Sequence, residues 1–199
     1  MDILNFKELD STSVWARKNL KDLEDFKIIS ADVQTQGHGQ FERKWYSTDK
    51  NGGNLYISIV LKPKNIEHLN ELTRYTSYIG AKTLEEYGKE YGVRPKFKFP
   101  NDILIDGKKI AGILAESVFI GNEFKGVIVG IGINLNLNEE DVKNIDIPAT
   151  SLFLETGKNI DKDSFLEKLI ENFKKEYDDF LENGLSEEVS RDLKTVQKI

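Results

Sequence analysis

The sequence predicts an α+β fold: a large mixed, mainly antiparallel sheet with helices packed on one side. Two observations lead to this class. Residues 66–91 and 162–181 each carry apolar side chains at helical spacing, and much of the remaining chain is rich in strand-forming segments and turn signals. The order is strands, one long helix, strands, and a second long helix. This order lacks the regular strand–helix alternation of a doubly wound parallel sheet, so we exclude that class.

The N-terminal third begins with a strand, a helix and two more strands. A short strand is expected before Ser11, and Ser11 or Thr12 is a good N-cap for a helix that runs through Leu20. Residues 26–33 and 54–61 are rich in β-forming side chains and are predicted as strands. The second of these follows an Asn-Gly-Gly turn signal.

Short strands and hairpin turns are expected between the two long helices. Asp106-Gly107 and Gly121-Asn122 are typical turn sequences, and each joins two strand-forming segments. The segment after the second turn is apolar without alternation, which is typical of a strand covered on both faces. The strands expected in this part of the chain cover residues 96–99, 103–105, 110–116 and 127–135.

Composition excludes several classes of protein. The chain has 199 residues, no cysteine and a formal net charge of −6, from 28 Lys and Arg against 34 Asp and Glu. A thiolate nucleophile and a Cys-ligated metal are therefore excluded, and the acidic balance argues against a DNA partner. The N-terminus lacks a signal-peptide pattern, and the longest apolar run, residues 127–133, is too short to span a membrane. We expect a single domain over residues 1–199, located in the cytoplasm and without a membrane partner.

The first segment that carries chemistry is residues 34–45, which include two glycines, Arg43, Lys44 and Trp45. Glycine lets backbone N–H groups approach an anion closely, and the indole offers an aromatic face to a base. The alternative is a mobile surface loop that a buried tryptophan fixes at one end. The segment matches neither the Walker A pattern nor the Gly-x-Gly-x-x-Gly pattern.

Two further segments combine charge, glycine and amide groups. Lys98 and Asp102 lie at a strand end beside the hairpin that returns Lys109, so the three are suited to an anionic substrate, or to a phosphate with its Mg²⁺. The alternative is a solvated hairpin with surface charges. Glycines within residues 130–134 indicate that something approaches the backbone of this strand. Asn134 ends the apolar run and needs a partner, from the protein or from a ligand.

In this order, the segments resemble those of the catalytic domain of biotin–protein ligases. Lys98–Asp102 is similar to the family's Lys-Trp-Pro-Asn-Asp, with Phe99 in place of tryptophan, and residues 109–116 resemble its Lys-Leu-Ala-Gly-Ile-Leu-x-Glu strand. The Arg-Arg-x-x-Gly-Gly-Gly segment of the related lipoate ligases is not found. Each motif alone is weak, whereas five in the same order over residues 8–136 are specific. The five cover residues 10–13, 34–45, 98–102, 109–116 and 130–134.

The resemblance implies a class II synthetase-like fold, as in the biotin ligases, and a two-step reaction. The carboxylate of biotin attacks the α-phosphate of ATP, with Mg²⁺ present, and gives biotinyl-5′-adenylate and pyrophosphate. A lysine of a biotin carboxyl carrier domain, part of a biotin-dependent carboxylase, then attacks the adenylate and releases AMP. Because no N-terminal helix-turn-helix precedes these segments, repressor activity is not expected. The family's sheets can pair edge to edge, which allows a homodimer.

The resemblance also implies roles for single residues. Lys109 would hold the biotin carboxylate and then the adenylate, while Asp102 would orient or deprotonate the incoming lysine. The implied catalytic residues are Lys109, Asp102 and Lys98. Those implied to bind biotin are Ser11, Thr12, Gln34, Gly37, His38, Gly39, Lys109 and Gly112. Those implied to bind ATP or the adenylate are Gln40, Arg43, Trp45, Asn101 and Asn134, and no metal ligand is assigned.

Two departures from the family's pattern bear on activity. Gln40 stands where the family carries an arginine that helps to retain the adenylate, so we expect looser retention. The small C-terminal barrel usual in the family is expected to be absent, which bears on ATP affinity. Two alternatives stay open: a lipoate or octanoate ligase-like acyltransferase, and a non-catalytic biotin-binding module. A narrow polar pocket built from Ser11, Thr12 and Gln34 favours a ureido ring over lipoate. The presence of Lys98, Asp102 and Lys109 together argues against a mere binder.

Overall fold

This computed structural model describes residues 2–39, 44–48, 53–187 and 189–190. Within these residues, seven strands form one sheet. The strands are β1 (Ile3–Leu9), β2 (Ile28–Gln34), β3 (Asn54–Leu61), β4 (Lys96–Lys98), β5 (Asp102–Ile105), β6 (Lys108–Ile120) and β7 (Glu123–Asn134). The α-helices are α1 (Thr12–Lys18), α2 (Leu72–Gly88), α3 (Glu139–Val142), α4 (Leu152–Thr156) and α5 (Lys162–Asn183).

The sheet has the strand order β1-β2-β3-β7-β6-β5-β4. β1 and β2 run parallel, whereas the other neighbouring strands pair antiparallel. Asp106, Gly107 and Gly121 have positive φ angles of 47°, 79° and 60°, as tight hairpin turns require. The predicted α+β class, with its mixed and mainly antiparallel sheet, is confirmed.

The two long helices, α2 and α5, pack on one face of the sheet. That face presents alternate residues of β3, such as Leu55, Ile57 and Ile59, which are buried in the main core cluster. Tyr75 of α2 stacks on Phe180 of α5, with ring centroids 4.4 Å apart. Among the described residues, no helix is long and apolar enough to cross a membrane. The predicted apolar stripe of α5 is confirmed as buried, with Phe165, Leu166, Leu169, Ile170, Phe173, Tyr177 and Phe180.

The short helix α1 packs on the opposite face, where Ala16 and Leu20 share a second core cluster with Ile29, Val60 and Ile128. The expectation of helices on one side therefore holds for the long helices and is wrong for α1. The physical reason lies in β3 and β7, whose apolar residues point to both faces. Both faces of these strands must be covered for their side chains to leave water.

Helix α1 covers only part of its face of the sheet. Beyond the apolar cluster, the same face presents Ser58 of β3, Gly130 and Gly132 of β7, and Gly112 of β6, which are paired across the ladders. Glycine and serine fill little volume, so the sheet leaves space above this region. This space is the candidate site.

Candidate active site

A cavity of about 230 Å³ lies over the glycine-rich half of this face. It receives residues from the start of α1, the end of β2, the β4–β5 connection and the centre of β6 and β7. Its lining comprises Ser11, Thr12, Ser13, Gln34, His38, Gly39, Lys44, Trp45, Ile57, Lys98, Phe99, Pro100, Asn101, Asp102, Lys109, Gly112, Ile113, Leu114, Gly130, Ile131 and Gly132.

The floor of the cavity is backbone covered by the indole of Trp45. A Cβ atom added at Gly132 would lie 2.7 Å from Trp45 Cε2, and one added at Gly112 would lie 2.7 Å from Trp45 Cζ3. Any side chain at either position would collide with the ring. The two glycines are therefore required for the indole to lie flat against the sheet at this depth.

Trp45 is held in place by its backbone and by neighbouring residues. Its main-chain N–H donates to the carbonyl of Gly37 at 2.9 Å. The main-chain carbonyl of the next residue, Tyr46, accepts a hydrogen bond from the Tyr56 hydroxyl at 3.2 Å. Burial raises the pKa of Tyr56, so this hydroxyl keeps its proton at neutral pH. The indole Nε1 is buried and has no hydrogen-bond partner among the described residues. An acceptor on a ligand would satisfy it.

One end of the cavity is a network of buried hydroxyl and amide groups. The main-chain N–H and the Oγ1 of Thr12 both donate to Gln34 Oε1, at 2.8 and 3.1 Å. Ser58 Oγ donates to Thr12 Oγ1 at 2.9 Å and lies 2.9 Å from Ser13 Oγ. Ser11 accepts the N–H of Val14 and so caps α1. The network holds Thr12 and Gln34 in fixed orientations for a polar ligand.

The other end of the cavity is charged. Lys109 Nζ lies 2.6 Å from Asp102 Oδ1, and each side chain is 19% exposed, so solvent screens this pair less than a surface pair. Lys109 Nζ also lies 5.0 Å from the centre of the Trp45 ring, within the range of a cation–π contact. Among the described residues, the lining carries Lys44, Lys98 and Lys109 against Asp102, an excess of positive charge in an acidic chain. This end is suited to an anion.

The β4–β5 connection forms the rim beside this pair. Lys98 and Asp102 lie opposite each other in the β4–β5 ladder, with Lys98 exposed to solvent. Asn101 accepts the N–H of Ile113 through its carbonyl at 2.9 Å, which fixes the connection against β6. Phe99 is 60% exposed at the mouth.

The structure brings most of the residues singled out from the sequence into this one cavity. Gly37 and Asn134 do not line it. Gly37 lies behind Gln34, since a Cβ there would be 2.9 Å from Gln34 Nε2. Gln40 and Arg43 lie outside the described residues. The predicted residues that line the cavity are Ser11, Thr12, Gln34, His38, Gly39, Trp45, Lys98, Asn101, Asp102, Lys109 and Gly112.

Asn134 has its partner within the protein. The side chain is 3% exposed, and its Nδ2 donates to the carbonyl of Thr150 at 2.9 Å. The sequence alone allows a partner from the protein or from a ligand, and the resemblance implies a place on the nucleotide side. In the structure, the donor of Asn134 is directed to the backbone rather than into the cavity. Contact with a nucleotide stays a prediction.

Sequence reasoning missed Ser58. This residue is fully buried in β3, yet it connects Thr12 and Ser13 at the polar end. The available signal was a single serine in the otherwise apolar strand of residues 55–61. A buried hydroxyl needs partners, so that serine indicated a polar neighbour above the strand.

The fold and the site together define a class of protein. The chain belongs to the Biotin/lipoate A/B protein ligase family, whose model matches residues 5–134. The matched range runs from within β1 to the end of β7 and includes every residue of the cavity lining given above.

Two curated relatives are similar to this chain over most of its length. The chain is 34% identical over 164 residues to the "Bifunctional ligase/repressor BirA" of Bacillus subtilis, covering 80% of the chain and 48% of that protein. It is 32% identical over 170 residues to the "Biotin--[acetyl-CoA-carboxylase] ligase" of Paracoccus denitrificans, covering 82% of the chain and 68% of that protein. The chain thus spans about half the length of the Bacillus relative.

Solved structures agree with this assignment. A biotin protein ligase from Aquifex aeolicus, in complex with biotin and ATP, superposes with a TM-score of 0.81 at 30% identity, covering 99% of this chain and 78% of that one. The biotin protein ligase of Leishmania major, in complex with biotinyl-5-AMP, gives a TM-score of 0.77 at 21% identity, with 99% and 81% covered. The second likeness concerns the fold alone.

Proposed function

We propose that the chain is an ATP-dependent biotin–protein ligase, which forms biotinyl-5′-adenylate and transfers biotin to a lysine of a biotin carboxyl carrier domain. The observation that carries this proposal is the cavity with a neutral hydrogen-bonding end at Thr12 and Gln34 and a cationic end at Lys109. The similar Aquifex protein binds biotin and ATP. Biotin has the matching two ends: a neutral ureido ring and a carboxylate.

Binding follows from these two ends. The ureido ring would exchange hydrogen bonds with Ser11, Thr12 and Gln34, whose orientations the buried network already fixes. The apolar part of biotin would lie on the Trp45 indole and the strand backbone below it. The carboxylate would then reach Lys109. The Lys109 ammonium would leave Asp102 to pair with this carboxylate, or would pair with both carboxylates at once. Because these groups are ordered before binding, little ordering entropy opposes it.

The first chemical step requires stabilisation of negative charge. A carboxylate oxygen of biotin attacks the α-phosphorus of ATP, the bond to the bridging oxygen breaks, and pyrophosphate leaves. Lys109 would stay with the acyl phosphate, while Lys98 and Lys44 at the rim attract the triphosphate. The Nε1 of Trp45, which has no partner among the described residues, is available to donate to a phosphate oxygen in this step.

The residues fit a magnesium ion that arrives with the nucleotide. Among the described residues, no group of three or more His, Asp or Glu side chains is placed to hold a metal. The cavity offers the carboxylate of Asp102 and the amide of Asn101. This donor set suits Mg²⁺, which keeps several waters and binds mainly to phosphates. When bound, the ion would neutralise phosphate charge.

The second step consumes the adenylate. A lysine amine is almost fully protonated at neutral pH, so it must lose a proton before it attacks the mixed anhydride. Among the described residues, Asp102 is the carboxylate in the cavity lining. It would receive this ammonium group and take its proton once Lys109 has turned to the acyl phosphate. Attack at the acyl carbon forms the amide bond and expels AMP.

An exchange assay tests the proposal against its alternatives. The protein is incubated with ATP, Mg²⁺ and labelled pyrophosphate, and label entering ATP is measured with biotin, lipoate or octanoate. We expect exchange that depends on biotin. Exchange with lipoate or octanoate instead would assign the site to another acid of this ligase family. Tight biotin binding without exchange would indicate a binding module.

The remaining expectations concern partners and place. The Paracoccus relative is named for acetyl-CoA carboxylase, so the carrier domain of a biotin-dependent carboxylase is the proposed acceptor. We propose a cytoplasmic location and no DNA partner. We also propose that the protein is a homodimer, and sedimentation of the purified protein tests this oligomeric state. Whether Gln40 loosens adenylate retention is tested by the rate of adenylate release from a Gln40→Arg variant.

A further inference from the structure

The main chain of Lys109 is held by a segment outside the seven strands. We call residues 148–151 the strap. The N–H of Lys109 donates to the carbonyl of Pro148 at 2.8 Å, and the N–H of Thr150 donates to the carbonyl of Lys109 at 2.9 Å. These two bonds form a parallel bridge between Lys109 and Ala149. Both main-chain polar groups of Lys109 are therefore paired with the strap.

The sheet beside Lys109 is irregular on both sides. Toward β5, Lys109 lies opposite Leu104 while Ala111 lies opposite the preceding residue, so Ile110 is an extra residue in the ladder. Such a bulge bends a strand and redirects a side chain. Toward β7, the ladder ends at the pair of Ala111 with Ile133. The strap occupies the place beside Lys109 where β7 no longer pairs.

Buried side chains hold the strap in turn. Asn134 Nδ2, at the end of β7, donates to the carbonyl of Thr150 at 2.9 Å. Ser151 Oγ donates to the carbonyl of Leu137 at 2.6 Å. Asn134, Thr150 and Ser151 are each at most 3% exposed. Water cannot easily replace a lost donor at such a depth, so the removal of Asn134 would leave the Thr150 carbonyl unpaired.

We propose that Asn134 is a positioning residue for Lys109. By holding the Thr150 carbonyl, it keeps the strap against the Lys109 main chain and fixes where the ammonium lies, 2.6 Å from Asp102. Asn134 thereby connects β7, which supplies Gly132 to the floor of the cavity, with the Lys109 ammonium above that floor. The importance of this position for the reaction rests on the proposed function, whereas the mechanical link does not.

The test compares Asn134→Ala with a matched control, Asn136→Ala. Asn136 lies two residues further along, and its side chain exchanges hydrogen bonds with the main chain of Ile160, which lies outside the strap. Lysines are acetylated with limiting acetic anhydride in the absence of substrates, and peptide mass spectrometry gives the rate for Lys109 relative to the exposed Lys64. We expect this ratio to rise severalfold in Asn134→Ala and to stay unchanged in the control.

Kinetics supply the second readout. Because Lys109 would hold the biotin carboxylate, a displaced ammonium weakens a charge-assisted hydrogen bond, and we expect the KM for biotin to rise by about tenfold in Asn134→Ala. The KM for ATP should change far less. A rise in the KM for ATP alone, with an unchanged Lys109 ratio, would overturn the proposal in favour of direct nucleotide contact.

Two measures keep the proposal testable if Asn134→Ala does not fold. Asn134→Asp keeps the shape and lacks the donor, and Ser151→Ala loosens the other end of the strap; both should raise the Lys109 ratio. Hydrogen exchange reports the Lys109 amide directly, and its protection should fall in these variants. Unchanged ratios and protection in both would refute the proposal. A protein inactive in adenylation still gives both readouts, so the two hypotheses fail separately.

Discussion

Gly132→Ala is expected to weaken biotin binding because it lifts the Trp45 indole from the floor of the cavity. The added Cβ would lie 2.7 Å from Cε2, 2.8 Å from Cζ2 and 3.1 Å from Nε1 of that ring. Ordinary contact begins at 3.4 Å, so the ring must retreat by 3.4 − 2.7 = 0.7 Å. Gly112 lies under the same ring, so the sheet blocks retreat toward it and the ring moves into the cavity.

The magnitude follows from the cost of overpacking. Inserting one methyl group into a packed site typically costs about 1–3 kcal/mol, which corresponds to about 5- to 150-fold in the dissociation constant of a ligand that needs the lost space. Trp45 is only partly buried and can shift toward solvent. The free energy of unfolding should therefore change by less than about 1 kcal/mol.

Isothermal titration calorimetry with biotin measures the first quantity, and denaturation in urea measures the second. Gly80→Ala is the matched control, because its Cβ would meet only the flexible end of Ile103, at 3.1 Å, on the opposite face of the sheet. It should bind biotin as the unmodified protein does. If Gly132→Ala also binds biotin normally, the ligand does not lie against Trp45 above this strand, and the assignment of the cavity is wrong.

Three further substitutions have defined outcomes. Lys109→Met should raise the dissociation constant for biotin by about 10- to 150-fold in calorimetry, since a charge-assisted hydrogen bond contributes about 1.5–3 kcal/mol. Ser58→Ala should lower the free energy of unfolding by about 1–3 kcal/mol in urea, because buried Thr12 Oγ1 loses its donor. Burial raises the pKa of Tyr177, so the neutral phenol stabilises the fold fully below about pH 10, and this contribution is lost as pH rises further. Tyr177→Phe should flatten this alkaline loss in pH-dependent denaturation without lowering stability at pH 7, since the hydroxyl has no partner among the described residues.

Local sequence signals were sufficient for the strands and the long helices. The β-forming run of residues 54–61 and the Asp106-Gly107 turn specify their structures almost alone, because β propensity and positive φ are local properties. The sequence of α1 alone does not determine the face of the sheet on which this helix packs. Periodicity identifies the apolar side of a helix, but which side of the sheet receives it depends on residues such as Val60 and Ile128, far along the chain.

The candidate site likewise contains some residues that the sequence indicates and others that it does not. The segments 98–102 and 109–112 could be recognised only through their order with the other motifs, because lysines and a carboxylate at a hairpin are equally typical of a solvated surface. Ser58 was missed because one serine does not change the pattern of an apolar strand. The partner of Asn134 lies 16 residues away in the strap, which carries no motif, and the Ile110 bulge appears only once strands pair.

The most direct test of the central claim is detection of the intermediate itself. The protein, at substrate concentration, is mixed with biotin, ATP and Mg²⁺, then quenched and analysed for biotinyl-5′-adenylate by mass spectrometry, beside the Lys109→Met variant. We expect the unmodified protein to form the adenylate and the variant to form far less. Absence of adenylate from a protein that binds both biotin and ATP, or equal amounts from the variant, would contradict this expectation.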